Sequence, residues 1–233
     1  MESVKESWDG RALDWRNKPT DRFVLRWIKR YLSAPVALAL RRVPFVTPAT
    51  VTVAAAALGV AAGGLFALGF GWLAGIVAFV AQILDGVDGQ LARLRNCVSR
   101  EGAFLDSTLD RYADVALTLG MLIYLGRQPW PRPYALPLIA VLGFLAVAGA
   151  TLVSFTSARA GKLGLKLGRP TLASKGTRTA AIALGAWASA FWPPAPAVVL
   201  VYLAVHPNAA ALARLIYVYR HRKELASVSE EMP

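Results

Sequence analysis

Six stretches of this chain, about 48–70, 72–95, 103–126, 134–158, 178–195 and 197–218, are close to the length and apolar character of a bilayer crossing. A helix needs about 20 mostly apolar residues to span the hydrocarbon core. Lipid offers no hydrogen bonds to an open backbone, so segments of this kind are helical. Short turns punctuate them: Gly69-Phe70-Gly71, Asn96-Cys97-Val98-Ser99, Pro129 to Pro133 and Pro193 to Pro196. The expectation is an all-α membrane protein, a six-transmembrane-helix bundle.

Charge is scarce and segregated. Only 17% of residues are charged, and 26 Lys and Arg face 14 Asp and Glu, a net charge of +12. The basic residues lie at the ends of the apolar runs rather than along one face, which points to anionic headgroups and away from nucleic acid. Cys97 is the sole cysteine, so no intrachain disulfide exists. Ten of the 26 basic residues precede residue 47. Others fall at Arg93, Arg95 and Arg100, at Arg159, Lys162, Lys166, Arg169, Lys175 and Arg178, and near the C-terminus. The opposite side carries Arg127 and Arg132. With an even number of spans, this bias predicts both termini in the cytoplasm of a multi-pass cell (plasma) membrane protein.

Three regions follow: a cytoplasmic N-terminal segment 1–46, a transmembrane domain 47–220 and a cytoplasmic tail 221–233. In the first, Phe23, Val24, Trp27, Ile28 and Tyr31 recur at helical spacing among Arg22, Arg26, Lys29 and Arg30. That pattern predicts a basic amphipathic helix lying in the membrane interface, in contact with lipid.

Acidic residues are the anomaly. Between Arg22 and Lys223 they number six: Asp85, Asp88, Glu101, Asp106, Asp110 and Asp114. A central Asp costs about 2.5–3.5 kcal/mol on insertion scales, so such a cluster needs cations or a polar cavity. On a helix Asp85 and Asp88 lie about 60° apart, and Asp106, Asp110 and Asp114 step by four into a stripe. A tight turn makes the two helices antiparallel, and the stripes then face each other. Four hard carboxylates suit Mg²⁺ or Mn²⁺, with room for two ions. Gly86, Gly89 and Gly102 beside them leave space for a ligand. Gly59, Gly63 and Gly64 read instead as helix-packing glycines. His206 and His221 are isolated and read as structural.

Asp85-x2-Asp88-Gly89-x2-Ala92-Arg93-x8-Gly102-x3-Asp106-x3-Asp110 resembles the signature of the CDP-alcohol phosphotransferase family at all eight fixed positions. The resemblance implies transfer of a substituted phosphate from a CDP-linked donor to an alcohol, with release of CMP. It assigns Asp85, Asp88, Asp106 and Asp110 to the metal centre and makes Asp110 the general base. It puts Gly89, Ala92, Arg93 and Gly102 near the nucleotide. Thr47-Pro48-Ala49-x-x-Thr52 is similar to another family element and adds Thr52, although Ala49 stands where the family usually has Asn. Without the family, the same residues read as a helix cap, Thr followed by Pro. The family also implies a homodimer.

Leu105-Asp106-Ser107-Thr108-Leu109-Asp110-Arg111-x-Ala113-Asp114 resembles members that use inositol phosphate. Ser154 to Arg159 and Lys175-Gly176-Thr177-Arg178 are similar to anion-binding elements of those members, making Arg111, Arg159 and Arg178 an acceptor-phosphate pocket. CDP-diacylglycerol and CDP-inositol remain open as donors, and glycerol phosphate, as in a phosphatidylglycerophosphate synthase, is the alternative acceptor. Two other classes compete. A cation or proton transporter predicts carboxylates spread through the membrane depth, and a passive scaffold leaves the aspartates unexplained.

Overall fold

Every regular element is helical in the computed structural model, which describes Arg16 and residues 23–129, 135–165, 167 and 173–221. Residues 1–15 and 17–22 of the N-terminal segment, Arg132, Lys166, Arg169 and the tail from residue 222 lie outside the described residues, as do the side chains of Phe23 and Val24. The order is α1 (Phe23–Ile28), a π-helical turn (Lys29–Ser33), α2 (Ala34–Leu40), α3 (Pro48–Ala67), α4 (Gly71–Leu94), α5 (Arg100–Gly126), α6 (Ala135–Lys162), α7 (Lys175–Ala188) and α8 (Ala195–Arg220).

Local chemistry sets the boundaries. Thr47 Oγ1 accepts from the Thr50 amide at 3.1 Å and Pro48 opens α3, the cap expected from Thr-Pro. Ser99 Oγ accepts from the Gly102 amide at 3.0 Å, which starts α5 at Arg100, three residues before the expected start. Between them Asn96 takes φ 52°, a left-handed conformation asparagine tolerates, and turns the chain back. The fifth segment departs most from expectation. α7 runs from Lys175 to Ala188, and Trp192, the residue before Pro193-Pro194, bars the helix from continuing to the expected end at 195.

Among the described residues four helices, α3, α4, α6 and α8, are long and apolar enough to cross a membrane. α5 carries Asp110, Arg111 and Asp114 within its central turns, and α7 has only 14 residues, so neither meets the same standard. Residues such as Leu138, Val141, Phe144 and Phe155 of α6 stay exposed, as expected of a surface that meets lipid.

α3 packs between α4 and α5. A Cβ on Gly59 would come within 2.7 Å of Ala113 Cβ, one on Gly63 would overlap the Ala116 carbonyl, and one on Gly120 would overlap the Gly63 carbonyl. The two backbones therefore touch, the small-residue packing that holds helices together in lipid. Gly64 was expected to join them, but it faces open space. Gly63→Ala is expected to lower the unfolding free energy in an SDS titration by about 1–3 kcal/mol. Gly64→Ala should be neutral or slightly stabilising in the same measurement.

The apolar core lies toward the α3–α4 turn, around Phe66, Met121, Leu125 and Leu200, with Phe66 and Tyr124 rings 5.1 Å apart. On the other side the α1–α2 segment docks on α4. Ser33 Oγ donates to Ile83 O at 2.8 Å, and Gln90 Nε2 to Lys29 O at 2.9 Å. Gly86 faces this segment, where a Cβ would lie 2.6 Å from Ser33 Oγ. It is a packing glycine, not room for a ligand. Among the described apolar residues of the segment's expected face, Ile28 is buried, whereas Trp27 and Tyr31 are exposed with their rings 5.8 Å apart. Lys29, expected on the polar side, is buried.

Candidate functional site

The α4–α5 hairpin brings the two acidic stripes together. Asp85, Asp106 and Asp110 each offer a carboxylate oxygen, and the three oxygens lie within 4.8 Å of one another. Negative charges this close repel strongly unless a cation stands among them. The Lys175 ammonium, from the first turn of α7, bonds Asp85 Oδ1 at 2.5 Å and also Asp110 Oδ1. Hard oxygens in that number and spacing fit Mg²⁺ or Mn²⁺.

Asp88 stands beside this group rather than in it. Its Oδ2 accepts from Thr52 Oγ1 at 2.7 Å and its Oδ1 from the Gly89 amide at 2.5 Å. Thr52 thereby ties α3 to the acidic face of α4. On the same helix Gln82 Nε2 donates to Asp85 Oδ2 at 3.2 Å. Thr52, Gln82, Asp85, Asp110, Lys175 and Thr179 line a cavity between α3, α4, α5 and α7.

Asp114 gathers the arginines. Arg178 Nη2 lies 2.6 Å from Asp114 Oδ2, and Arg111 Nη1 lies 3.4 Å from the same oxygen. Arg178 is 3% exposed and also donates to Ala173 O at 2.6 Å. Arg111 reaches across to Ser154 Oγ on α6 at 2.5 Å. The structure thus brings two of the three expected phosphate-binding arginines together around one carboxylate. Arg159 is exposed toward the end of α6, and no ion pair joins it to the carboxylates among the described residues.

The remaining motif positions surround the hairpin. The Arg93 guanidinium folds back over Gly89, 3.4 Å from where a Cβ there would stand. Ala92 is half-buried on the same helix. Gly102 is exposed in the first turn of α5, with its amide held by Ser99. Two participants were not read from the sequence as partners of the carboxylates. Gln82 carried no signal except its being polar in an apolar span. Lys175 was read as part of a basic loop and of an element similar to anion-binding elements of the family, and its pairing with Asp85 spans 90 positions.

A helical bundle with a hairpin-borne carboxylate cluster is the framework of a metal-dependent membrane enzyme. Residues 45–209 match the family model described as CDP-alcohol phosphatidyltransferase, and the chain belongs to that family. It is 37% identical over 179 residues to a bifunctional IPC transferase and DIPP synthase from Rubrobacter xylanophilus, covering 76% of this chain and 38% of that one. The chain therefore spans well under two thirds of that relative's length. It is 30% identical over 189 residues to the phosphatidylinositol phosphate synthase of Mycobacterium tuberculosis, covering 79% of this chain and 84% of the relative. The crystal structure of that synthase with CDP-DAG bound superposes with a TM-score of 0.69 at 30% identity, over 81% of this chain and 94% of the other. Its complex with manganese and citrate gives 0.70 at 30% identity, over 81% and 89%.

Proposed function

We propose that this chain is an integral-membrane, metal-dependent CDP-alcohol phosphotransferase that passes a substituted phosphate from a CDP-linked donor to an inositol phosphate and releases CMP. The observation that carries the reading is the meeting of Asp85, Asp106 and Asp110 within 4.8 Å on two antiparallel helices. The relatives' names favour inositol phosphate as acceptor, and the CDP-DAG complex favours CDP-diacylglycerol over CDP-inositol as donor.

Asp85, Asp88, Asp106 and Asp110 hold the metal centre, with Mg²⁺ or Mn²⁺ in one or two positions. A metal held by these carboxylates would supply the positive charge that the donor diphosphate and the departing CMP need. Gly89, Ala92, Arg93, Gly102 and Thr52 form the nucleotide side, where small residues admit cytidine and Arg93 meets phosphate. The acceptor oxygen attacks the phosphorus bearing the substituent, Asp110 takes the hydroxyl proton, and the bond from that phosphorus to the CMP oxygen breaks. Arg111 and Arg178 flank Asp114 on the acceptor side, with Arg159 at the mouth and Lys175 between Asp85 and Asp110.

α5 and α7 complete six spans within 47–220. Asp85 and Asp110 then lie about 15 Å along their helices from the α4–α5 turn, within reach of the cytoplasmic face. Segment 1–46 lies against the inner surface through its basic residues, and both termini are cytoplasmic. The working unit is a homodimer in the plasma membrane.

The test supplies purified protein and Mn²⁺ with CDP-diacylglycerol or CDP-inositol, and inositol phosphate or glycerol phosphate, and follows CMP. CMP release only with inositol phosphate is the expected result. Preference for glycerol phosphate overturns the acceptor. No CMP from any pair overturns the enzyme reading, and a liposome flux assay then examines ion transport.

A further inference from the structure

Gln82 is a polar residue one turn deeper in α4 than Asp85, with 4% of its surface exposed. A buried amide is costly unless it is hydrogen-bonded, and an apolar residue would pack there at no such cost. Its one side-chain bond among the described residues goes to the acidic cluster, Nε2 to Asp85 Oδ2 at 3.2 Å. The opposite amide orientation would set Oε1 against a carboxylate oxygen, so the bond fixes the way Gln82 points. Oε1 is buried and has no partner among the described residues. Asp85 is thus gripped at both oxygens, Oδ1 by the Lys175 ammonium and Oδ2 by Gln82.

We propose that Gln82 is a positioning residue of the metal centre: its amide holds the Asp85 carboxylate in the orientation that serves a divalent ion shared with Asp106 and Asp110. This rests on the metal-centre reading above. The two holders differ in kind. Lys175 attracts Asp85 through charge and competes with any cation for Oδ1. Gln82 is neutral, acts on the other oxygen, and orients the carboxylate without lowering its charge. Outer partners of this sort commonly change metal affinity 10- to 100-fold. Gln82 reaches neither donor nor acceptor in this role, so its contribution falls on metal affinity rather than on substrate affinity.

Gln82→Met keeps the side-chain length without the amide, and Gln82→Asn keeps the amide but shortens its reach by one carbon. Both are expected to raise the Mn²⁺ concentration for half-maximal CMP release at least about tenfold. The rate should recover at saturating Mn²⁺, and the KM for the CDP donor should not move. Electron paramagnetic resonance titration of Mn²⁺ without substrate should show the same loss of affinity. Wild-type Mn²⁺ binding in both variants overturns the proposal. So does a rate that falls at every Mn²⁺ concentration with an unchanged midpoint. Should one variant fail to fold, the other decides by the same two measurements. Failure of the wild-type chain itself to bind Mn²⁺ overturns the metal centre on which the proposal stands, a result distinct from failure of the variants alone.

Discussion

Asp110→Asn is expected to abolish CMP release, a fall of about a thousandfold or more, in a chain that still folds and inserts. Two losses combine. The amide cannot take the proton of an incoming hydroxyl, and a positioned general base contributes about 10²–10⁴ in rate. It also removes one negative charge from a cluster whose oxygens lie within 4.8 Å of one another, and with it a ligand for the metal. Folding should survive because Asn is isosteric and removal of one charge relieves repulsion among the carboxylates. Lys175 retains Asp85 as a partner at 2.5 Å. The check is CMP release at saturating donor and Mn²⁺, beside an SDS titration. Unimpaired release would remove Asp110 from the reaction, whereas lost release with a lowered unfolding midpoint would mark a structural defect.

The hairpin was legible because its information is local. Asp85 and Asp110 are separated by one turn, helical periodicity fixes which side chains share a face, and Ser99 and Asn96 carry the turn chemistry within a few residues. The eight-position motif lies inside that local unit, and the family match from 45 to 209 contains it. What stayed hidden depends on helices brought together from far along the chain. Lys175 meets Asp85 across 90 positions, and no spacing rule predicts that contact. Gly86 looked like room for a ligand beside two aspartates, yet the α1–α2 segment fills it through Ser33. Which residues of that segment dock on α4 was hidden for a similar reason. Amphipathic pattern separates apolar from charged residues, but docking on α4 buries Ile28 together with the stem of Lys29 and leaves Trp27 and Tyr31 outside. Asp88 shows the same limit at finer scale: its position on the helix places it near the cluster, while the bond it accepts from Thr52 on α3 leaves no trace in the spacing of α4.

Arg178→Met is expected to destabilise the bundle by about 3–5 kcal/mol, because it strands a buried carboxylate. Arg178 is 3% exposed and Asp114 retains little solvent, so water cannot replace the lost guanidinium. Arg111 remains, but at 3.4 Å and already committed to Ser154. Replacing both partners, Arg178→Met with Asp114→Leu, should recover most of the stability, since a well-packed apolar pair often equals a buried ion pair. A double-mutant cycle in SDS unfolding measures the coupling directly. Activity should not follow stability back. Arg178 and Lys175 are one turn apart on α7, so the bond to Asp114 and the bond to Ala173 O fix the turn that presents the Lys175 ammonium to Asp85 and Asp110. A double variant that is stable yet slow in CMP release at an unchanged KM for inositol phosphate would show that the ion pair sets the position of α7 against the carboxylates, whereas a raised KM would show the loss of the acceptor-phosphate contact of Arg178. A single Arg178→Met as stable as wild type would show instead that Asp114 finds its counter-charge elsewhere, and the pair would have no part in holding α7 in place.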